Sequence, residues 1–209
     1  MFYQYINFFS WYLGNTQIQI ESAFSLGLIA FISGLAFIMF IHISYFPREL
    51  NNSAAIPTFP PLIMLFSINL GFLIGISNLY VIQLYKLPVF FDTFRSPELG
   101  GLTVFVSFIL IFLSVGLFRR NEEDPNPTTQ SNKLITSGIY KYIRNPMYLA
   151  LVMLQIGLGI SLSFLHISLM SIFTAIALHY FIIKKEETYL KNIFGVDYES
   201  YKAKSRRWI

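Results

Sequence analysis

The residues best suited to chemistry lie in two polar segments near the end of the chain. The first segment, residues 134–148 (LITSGIYKYIRNPMY), places Arg144 directly before Asn145 and Pro146. Asparagine can cap a helix and proline fits its first turn, so a helix is predicted to begin here, with the Asn145 side chain capping backbone N–H groups. A helix N-terminus beside an arginine attracts anions, because both carry positive charge. This segment therefore predicts an anion-binding site.

The second segment, residues 186–209 (EETYLKNIFGVDYESYKAKSRRWI), begins with two adjacent carboxylates, Glu186 and Glu187. These carboxylates follow two lysines, so on their own they could equally be the solvated end of a helix with pairs three and four residues apart. Two tyrosines, Tyr198 and Tyr201, lie three residues apart later in the segment, where they could pack at an interface or contact a ligand.

The rest of the chain is too apolar for a water-soluble protein. Of its 209 residues, 55% are hydrophobic and 12% are charged, whereas soluble domains carry about 25% charged residues. The chain contains no cysteine, which excludes disulfides, a thiol nucleophile and cysteine-ligated metal. We predict an all-α polytopic membrane protein with no metal site and no nucleic-acid partner, and we assign the net charge of +4 to membrane topology.

Three runs free of internal charge, residues 22–46, 60–85 and 99–118, each have the roughly 20 residues that a crossing needs. Residues 1–20 are rich in aromatic side chains and contain no lysine or arginine, which argues against a signal peptide. An interfacial helix is predicted there, with a frayed terminus as the open alternative. We divide the chain into N-terminal membrane helices, residues 1–118, and a C-terminal region, residues 119–209, that contains both polar segments.

A longer run, residues 147–183, contains no charged residue. As one helix it would extend roughly 55 Å, nearly twice the hydrocarbon thickness of a bilayer, so it is predicted to fold back as a hairpin. Residues 157–163 hold two glycines and two serines and mark the predicted bend. The total is then about five membrane helices, and the hairpin brings Arg144 close to Glu186 and Glu187.

The distribution of positive charge predicts the orientation. With five crossings, all lysines and arginines fall on one side except Lys86 and Arg95. The positive-inside rule then places both polar segments on the cytoplasmic side and the N-terminus outside. Both flanks of the hairpin are basic, which independently requires an even number of crossings between them.

The two polar segments together resemble the superfamily of isoprenylcysteine carboxyl methyltransferases and phospholipid methyltransferases, which are membrane-integral enzymes. The matching pattern is Gly-x-Tyr-x-x-x-Arg-His/Asn-Pro-x-Tyr, and its positions are Gly138, Tyr140, Arg144, Asn145, Pro146 and Tyr148. The second segment is similar to the family's acidic pair, Phe-Gly, paired tyrosines and basic end. The resemblance covers about the last third of the chain.

The resemblance implies S-adenosylmethionine as the cofactor. Arg144 and the helix start would hold its carboxylate, and Glu186 or Glu187 its ammonium group and ribose hydroxyls. Aromatic rings would lie against its sulfonium and adenine. The implied catalytic residues are Arg144, Glu186 and Glu187. The implied cofactor-binding residues are Gly138, Tyr140, Arg144, Asn145, Pro146, Tyr148, Glu186, Glu187 and Tyr198.

The implied acceptor is a lipophilic or small membrane-partitioning molecule that enters from the bilayer, among membrane lipids. Two departures from the family pattern narrow its chemistry. Asn145 often has histidine as its counterpart, so no acid–base role is expected there. Isoprenylcysteine enzymes carry an arginine about one turn before the acidic pair, where this chain has Phe-Ile-Ile at 181–183, so a prenylcysteine carboxylate is not the favoured acceptor.

Three alternatives to a methyltransferase remain at this stage. A membrane reductase of the sterol-reductase type would bind NADPH in a similar C-terminal core, although such enzymes usually have more spans. A transporter is disfavoured because the predicted spans contain no Asp or Glu, which ion-coupled carriers usually need. A structural membrane subunit is the third.

Overall fold

The computed structural model describes residues 20–50, 52–78, 82, 84, 87–94 and 96–208. Within these ranges the regular secondary structure is helical, with one isolated bridge between Ile143 and Arg206. The predicted all-α class is therefore confirmed. The interfacial helix predicted for residues 1–20 falls almost entirely outside the described residues.

Seven α-helices follow one another in the described part of the chain. They are α1 (Ile20–Tyr45), α2 (Pro60–Ser77), α3 (Pro97–Arg120), α4 (Pro146–Ser161), α5 (Leu165–Leu169), α6 (Ser171–Ala177) and α7 (Lys184–Lys204). Two 3₁₀ turns, Val89–Phe94 and Gly138–Lys141, precede α3 and α4, and a π-helical segment, Leu178–Ile183, joins α6 to α7.

Four helical stretches are long and apolar enough to cross a membrane. They are Phe24–Tyr45, Pro60–Ser77, Pro97–Arg120 and Leu165–Lys204. The apolar helix α4 is shorter, at 16 residues. These helices confirm the polytopic architecture and the short first arm of the hairpin.

The second predicted span begins at Pro60 as expected, and its α-helical part, α2, extends to Ser77. Asn78 and Ile82 have π-helical backbone. The predicted end of the run, about Tyr85, lies outside the described residues.

The first polar segment, residues 134–148, is called the signature from here on. The apolar run after the signature folds back as predicted. The α4 helix ends at Ser161, and the chain reverses through Leu162 and Ser163, where Ser163 adopts a φ of 53°. The bend therefore lies at the C-terminal end of the predicted stretch. The return arm consists of α5, α6 and the π-helical segment.

A buried polar network at Gln155 ties the hairpin to α2. The Gln155 amide nitrogen donates to Ser67 Oγ and to the Ile167 carbonyl, both at 3.0 Å. Its amide oxygen accepts from Thr174 Oγ1 at 2.6 Å, and Ser67 Oγ donates to the Met170 carbonyl at 2.8 Å. Because these atoms lie in an apolar environment, each bond fixes the relative register of the helices that it joins.

Helices α3 and α4 approach closely through glycine. A Cβ atom on Gly157 would lie 2.9 Å from the Gly100 carbonyl oxygen and from the Val104 backbone nitrogen. Any larger residue at position 157 would therefore push the two helices apart, which is the usual reason for small residues at membrane helix interfaces. This contact fixes α3, and the loop that follows it, against the start of the hairpin.

Candidate functional site

The hairpin brings the two polar segments into direct contact. Tyr148, in the first turn of α4, donates from its hydroxyl to Glu186 Oε2 at 2.8 Å. Arg144 Nε lies 3.6 Å from Glu187 Oε1, and both side chains are largely buried. Residues separated by about 40 positions in the sequence thus share one site, as the hairpin predicted.

The C-terminal tail, residues 205–208, completes this site. The Arg144 backbone N–H donates to the Arg206 carbonyl, and the Arg206 N–H donates to the Tyr142 carbonyl, both at 2.8 Å. The tail can return to the signature because α7 is kinked at Gly195, which adopts a φ of 51°. A positive φ of this kind favours glycine, so Gly195 permits the change of direction.

Arg144 is bound more heavily to the tail than the sequence indicated. Its Nη1 atom donates to the Lys202 carbonyl at 3.0 Å and also to the carbonyl of Ser205. These carbonyls belong to the end of α7, where a cation is favoured by the helix dipole. Arg144 therefore caps the last turn of α7 in addition to facing the site.

The predicted capping role of the Asn145 side chain is wrong. Asn145 occupies the N-cap position of α4, but its side chain makes no capping hydrogen bond. Instead its amide nitrogen donates to the Arg207 carbonyl at 3.0 Å. The Asn145 side chain thus binds the tail, whereas local sequence rules assign it to the N-terminus of its own helix.

A narrow cavity lies between the hairpin ends, α7 and the loop that follows α3. It comprises about 720 Å³ of empty space, much of which can be its opening to solvent. Seven predicted site residues line it: Tyr140, Arg144, Asn145, Tyr148, Glu186, Glu187 and Tyr198.

The two other predicted site residues, Gly138 and Pro146, are not among the residues that line the cavity. Gly138 adopts a φ of 58°, and a Cβ atom there would lie 2.7 Å from Leu117 Cδ1. Pro146 is the first residue of α4. Both shape the backbone that carries Tyr140 and Arg144.

Two buried donors on the cavity wall lack hydrogen-bond partners among the described residues, namely the Tyr140 hydroxyl and Arg144 Nε. The Ser114 hydroxyl lies beside that of Tyr140, and because its own proton goes to the Leu110 carbonyl it offers Tyr140 only an acceptor. Buried polar groups are nearly always satisfied in folded proteins. These two donors therefore fit a ligand that brings acceptor atoms into the cavity.

The two carboxylates of the acidic pair differ in their electrostatics. The apolar crossing ends at Ile183, and the lysines that open α7 place both glutamates beyond it. Burial raises the pKa of Glu186 to about 7, although the hydrogen bond from Tyr148 opposes the shift. Burial also acts on Glu187, but hydrogen bonds and charge from Arg207 outweigh it and lower the pKa of Glu187.

Both tyrosines of α7 are also part of the site. Tyr198 is almost fully buried, and burial raises the pKa of its hydroxyl. Tyr201 donates from its hydroxyl to the Tyr140 carbonyl at 2.8 Å, and burial raises its pKa to about 12. Both hydroxyls are therefore neutral at physiological pH, and Tyr201 fastens the 3₁₀ turn to the helix.

Sequence reasoning missed the loop that covers the cavity. This covering loop, residues 124–135, contributes several lining residues: Asp124, Pro125, Asn126, Pro127, Ser131, Lys133, Leu134 and Ile135. The buried Glu123 accepts from the Asn132 N–H at 3.1 Å and closes the loop on itself. Tyr189 accepts from the Ser131 N–H at 2.9 Å and holds it against α7. Two prolines within three residues indicate a stiff loop, but not where it lies.

An apolar pocket adjoins the polar cavity. It comprises about 910 Å³ of empty space, including its opening, between α2, α3 and α4. Pro60, Ile111 and Leu151 are among the side chains on its membrane side. Met147, Tyr148 and residues 124–127 line both spaces, so one short partition separates a polar cavity from an apolar one.

Comparisons with known proteins match the part of the chain that contains most of this site. A family model described as phospholipid methyltransferase matches residues 98–197, which include every predicted site residue except Tyr198. An uncharacterized protein of Haemophilus influenzae is 39% identical over 67 residues, which cover 30% of this chain and all of that protein. Residues 98–197, just under half of the chain, are therefore similar to the phospholipid methyltransferase family, in agreement with the resemblance of the two polar segments.

Proposed function

We propose that the protein transfers a methyl group from S-adenosylmethionine to a lipophilic acceptor that reaches the site from the bilayer. The observation that carries this proposal is the partition at Met147 and Tyr148, which lines a polar cavity on one side and an apolar pocket on the other. A water-soluble donor and a membrane-dissolved acceptor could occupy these two spaces and meet at the partition.

The residues of the polar cavity suit S-adenosylmethionine. The unsatisfied donors on Tyr140 and Arg144 match a carboxylate, and Glu186 matches an ammonium group or ribose hydroxyls. The rings of Tyr148 and Tyr198 line the same cavity and could face a sulfonium. When bound, S-adenosylmethionine would supply an activated methyl group for in-line displacement, which depends chiefly on alignment of the reactants.

Glu186 is suited to accept a proton from the methyl acceptor. Its Oε2 atom accepts from Tyr148, which leaves Oε1 able to accept from an incoming N–H, O–H or S–H group. With a pKa of about 7, the carboxyl is partly ionised at neutral pH and can act as a general base. Tyr148 would hold that carboxylate in place at the partition, while the covering loop excludes bulk water.

We place the cavity on the cytoplasmic side, because nearly all lysines and arginines of the chain fall on that side in a five-helix topology. The catalytic region proposed for residues 119–209 holds the signature, the hairpin and the tail. Its cavity is also bordered by Phe118 of α3, and the apolar pocket by Pro60 of α2. The N-terminal helices thus contribute to the acceptor side of the site.

A binding titration on detergent-purified protein tests the proposal. We expect S-adenosylmethionine to bind and NADPH not to bind. Tyr140→Phe keeps the ring but removes the unsatisfied hydroxyl, so the affinity should fall roughly tenfold, as for loss of a hydrogen bond to a charged group. Lys141→Gln, at the exposed neighbouring position, is the matched control and should bind as the wild type does.

Binding of NADPH in preference to S-adenosylmethionine would favour the reductase alternative. Binding of neither would remove the proposed donor. The acceptor can then be sought by incubating the protein with radiolabelled donor and lipid extracts, where label should enter the organic phase only in the presence of protein.

A further inference from the structure

Glu187 lies between Arg144 and Arg207 but accepts hydrogen bonds from Arg207 alone among the described residues. Arg207 donates from Nε to Oε1 at 2.9 Å and from Nη2 to Oε2 at 2.6 Å. This is the bidentate geometry in which a guanidinium binds a carboxylate most strongly. Arg144 Nε is 3.6 Å from the same Oε1 atom, which is too long for a hydrogen bond.

The backbone around Arg207 is fixed independently of its side chain. The Arg207 carbonyl accepts from the Asn145 amide at 3.0 Å. Both backbone groups of Arg206 pair with the signature at 2.8 Å, through Tyr142 and Arg144. Main-chain hydrogen bonds therefore hold the tail at the signature. The tail in turn places the Arg207 guanidinium beside Glu187.

Glu187 would otherwise compete for the donor on Arg144. The Nη1 atom of Arg144 is occupied by carbonyls at the end of α7. Its Nε is buried at the cavity and has no hydrogen-bond partner in the part of the chain that the structure describes. A shift of about 0.7–0.9 Å from the present 3.6 Å would let Glu187 accept from Nε, because a charge-assisted bond forms at about 2.7–2.9 Å.

We infer that Arg207 is a positioning residue that holds Glu187 away from Arg144 Nε, so that this donor remains available to an anionic group of the ligand. The inference rests on the proposed function for the identity of that ligand. The two carboxylates of the acidic pair then have different roles. Glu187 binds Arg207, and Glu186 is available to a ligand in the cavity.

Four variants test this role through ligand affinity. Arg207→Gln should weaken binding of S-adenosylmethionine about tenfold or more, because Glu187 then captures Arg144 Nε. The double variant Arg207→Gln/Glu187→Gln should recover most of that affinity, since a neutral amide competes far less for the guanidinium. Glu187→Gln alone removes the competing carboxylate together with the partner of Arg207, so its affinity should match that of the double variant. Arg206→Gln removes an exposed charge from the same tail and should have no effect.

A purely structural tail predicts a different pattern. If Arg207 only fastened the tail, the double variant would lack the same fastening and would bind as weakly as Arg207→Gln. That result, or an Arg207→Gln variant with wild-type affinity, would overturn the inference.

A ligand-free measurement separates this inference from the proposed function. The chain has seven arginines, so selective ¹⁵N labelling at Nε gives few signals, and Arg144→Lys assigns the one from Arg144. The Arg144 Nε–H proton should move downfield in Arg207→Gln, as it gains a carboxylate acceptor, and return in the double variant. An unchanged signal in Arg207→Gln would refute the positioning role, whether or not the wild type binds S-adenosylmethionine.

Discussion

Replacing Glu186 by glutamine should change how the stability of the fold depends on pH. The carboxyl is buried beside Tyr148, and its pKa in the folded protein is about 7 instead of 4.5. Between these two pH values the unfolded chain has released the proton and the folded chain retains it. The folded state therefore binds more protons, and the free energy of unfolding must fall as the pH rises through this window.

The size of the effect follows from the width of the window. Each pH unit contributes about 1.4 kcal/mol, so the loss between pH 4.5 and 7 is at most about 3.5 kcal/mol, reduced by any solvent that screens the cavity. Above pH 7 the contribution is constant. Glu187 acts in the opposite direction because its pKa is lowered, so only the difference between wild type and Glu186→Gln isolates Glu186.

The assay is the free energy of unfolding in detergent micelles, measured for both proteins from pH 4.5 to 8. We expect wild type to lose stability relative to Glu186→Gln as the pH rises to 7, and the two curves to run parallel above that value. Tyr148→Phe removes the hydrogen bond that stabilises the ionised carboxyl, so in that variant the window should extend to higher pH. Curves that stay parallel over the whole range would refute a buried carboxyl with a raised pKa.

Two further substitutions test the packing that positions the site. Gly157→Val should lower the free energy of unfolding by about 1–3 kcal/mol, the usual cost of overpacking, because a Cβ atom would already lie 2.9 Å from the Gly100 carbonyl oxygen. Gly116→Val is the matched control on α3, where a Cβ atom meets nothing within 4 Å of the described structure, and equal destabilisation by both would contradict the packing argument. Gln155→Leu leaves Thr174 Oγ1 and the Ile167 carbonyl without their partner, which should cost about 1–3 kcal/mol; unchanged thermal stability would mean that the network does not hold the hairpin.

Much of the fold was predictable because hydrophobic length alone limits what a membrane chain can do. The run from 147 to 183 is too long for one crossing, and that constraint was sufficient to predict that Tyr148 and Glu186 would meet. The change from α-helical to π-helical backbone at Asn78 was not predictable from hydropathy. Hydropathy gives the length of a crossing and not the hydrogen-bond pattern within it.

The candidate site was predictable only in part, because the tail binds three of its side chains, those of Arg144, Asn145 and Glu187. Rules that consider only neighbours in sequence predicted that Asn145 caps its own helix. The same rules predicted that Arg144 binds an anion. In the fold, both side chains also bind main-chain carbonyls about 60 residues later. Those contacts depend on the kink at Gly195, whose direction is not encoded in the composition of α7.

The hairpin and the tail therefore contribute to the candidate site in different ways. The hairpin is fixed by buried helix contacts, such as those of Gln155 and Gly157, and it sets Tyr148 and Glu186 at the partition between the polar and apolar spaces. The tail is fixed by main-chain hydrogen bonds at the signature, and it sets Arg207 against Glu187. A change that loosens the tail should consequently alter affinity for the proposed donor while leaving the apolar pocket intact, because the tail binds Arg144 and Glu187, which line the polar cavity and are not among the described side chains that line the apolar pocket.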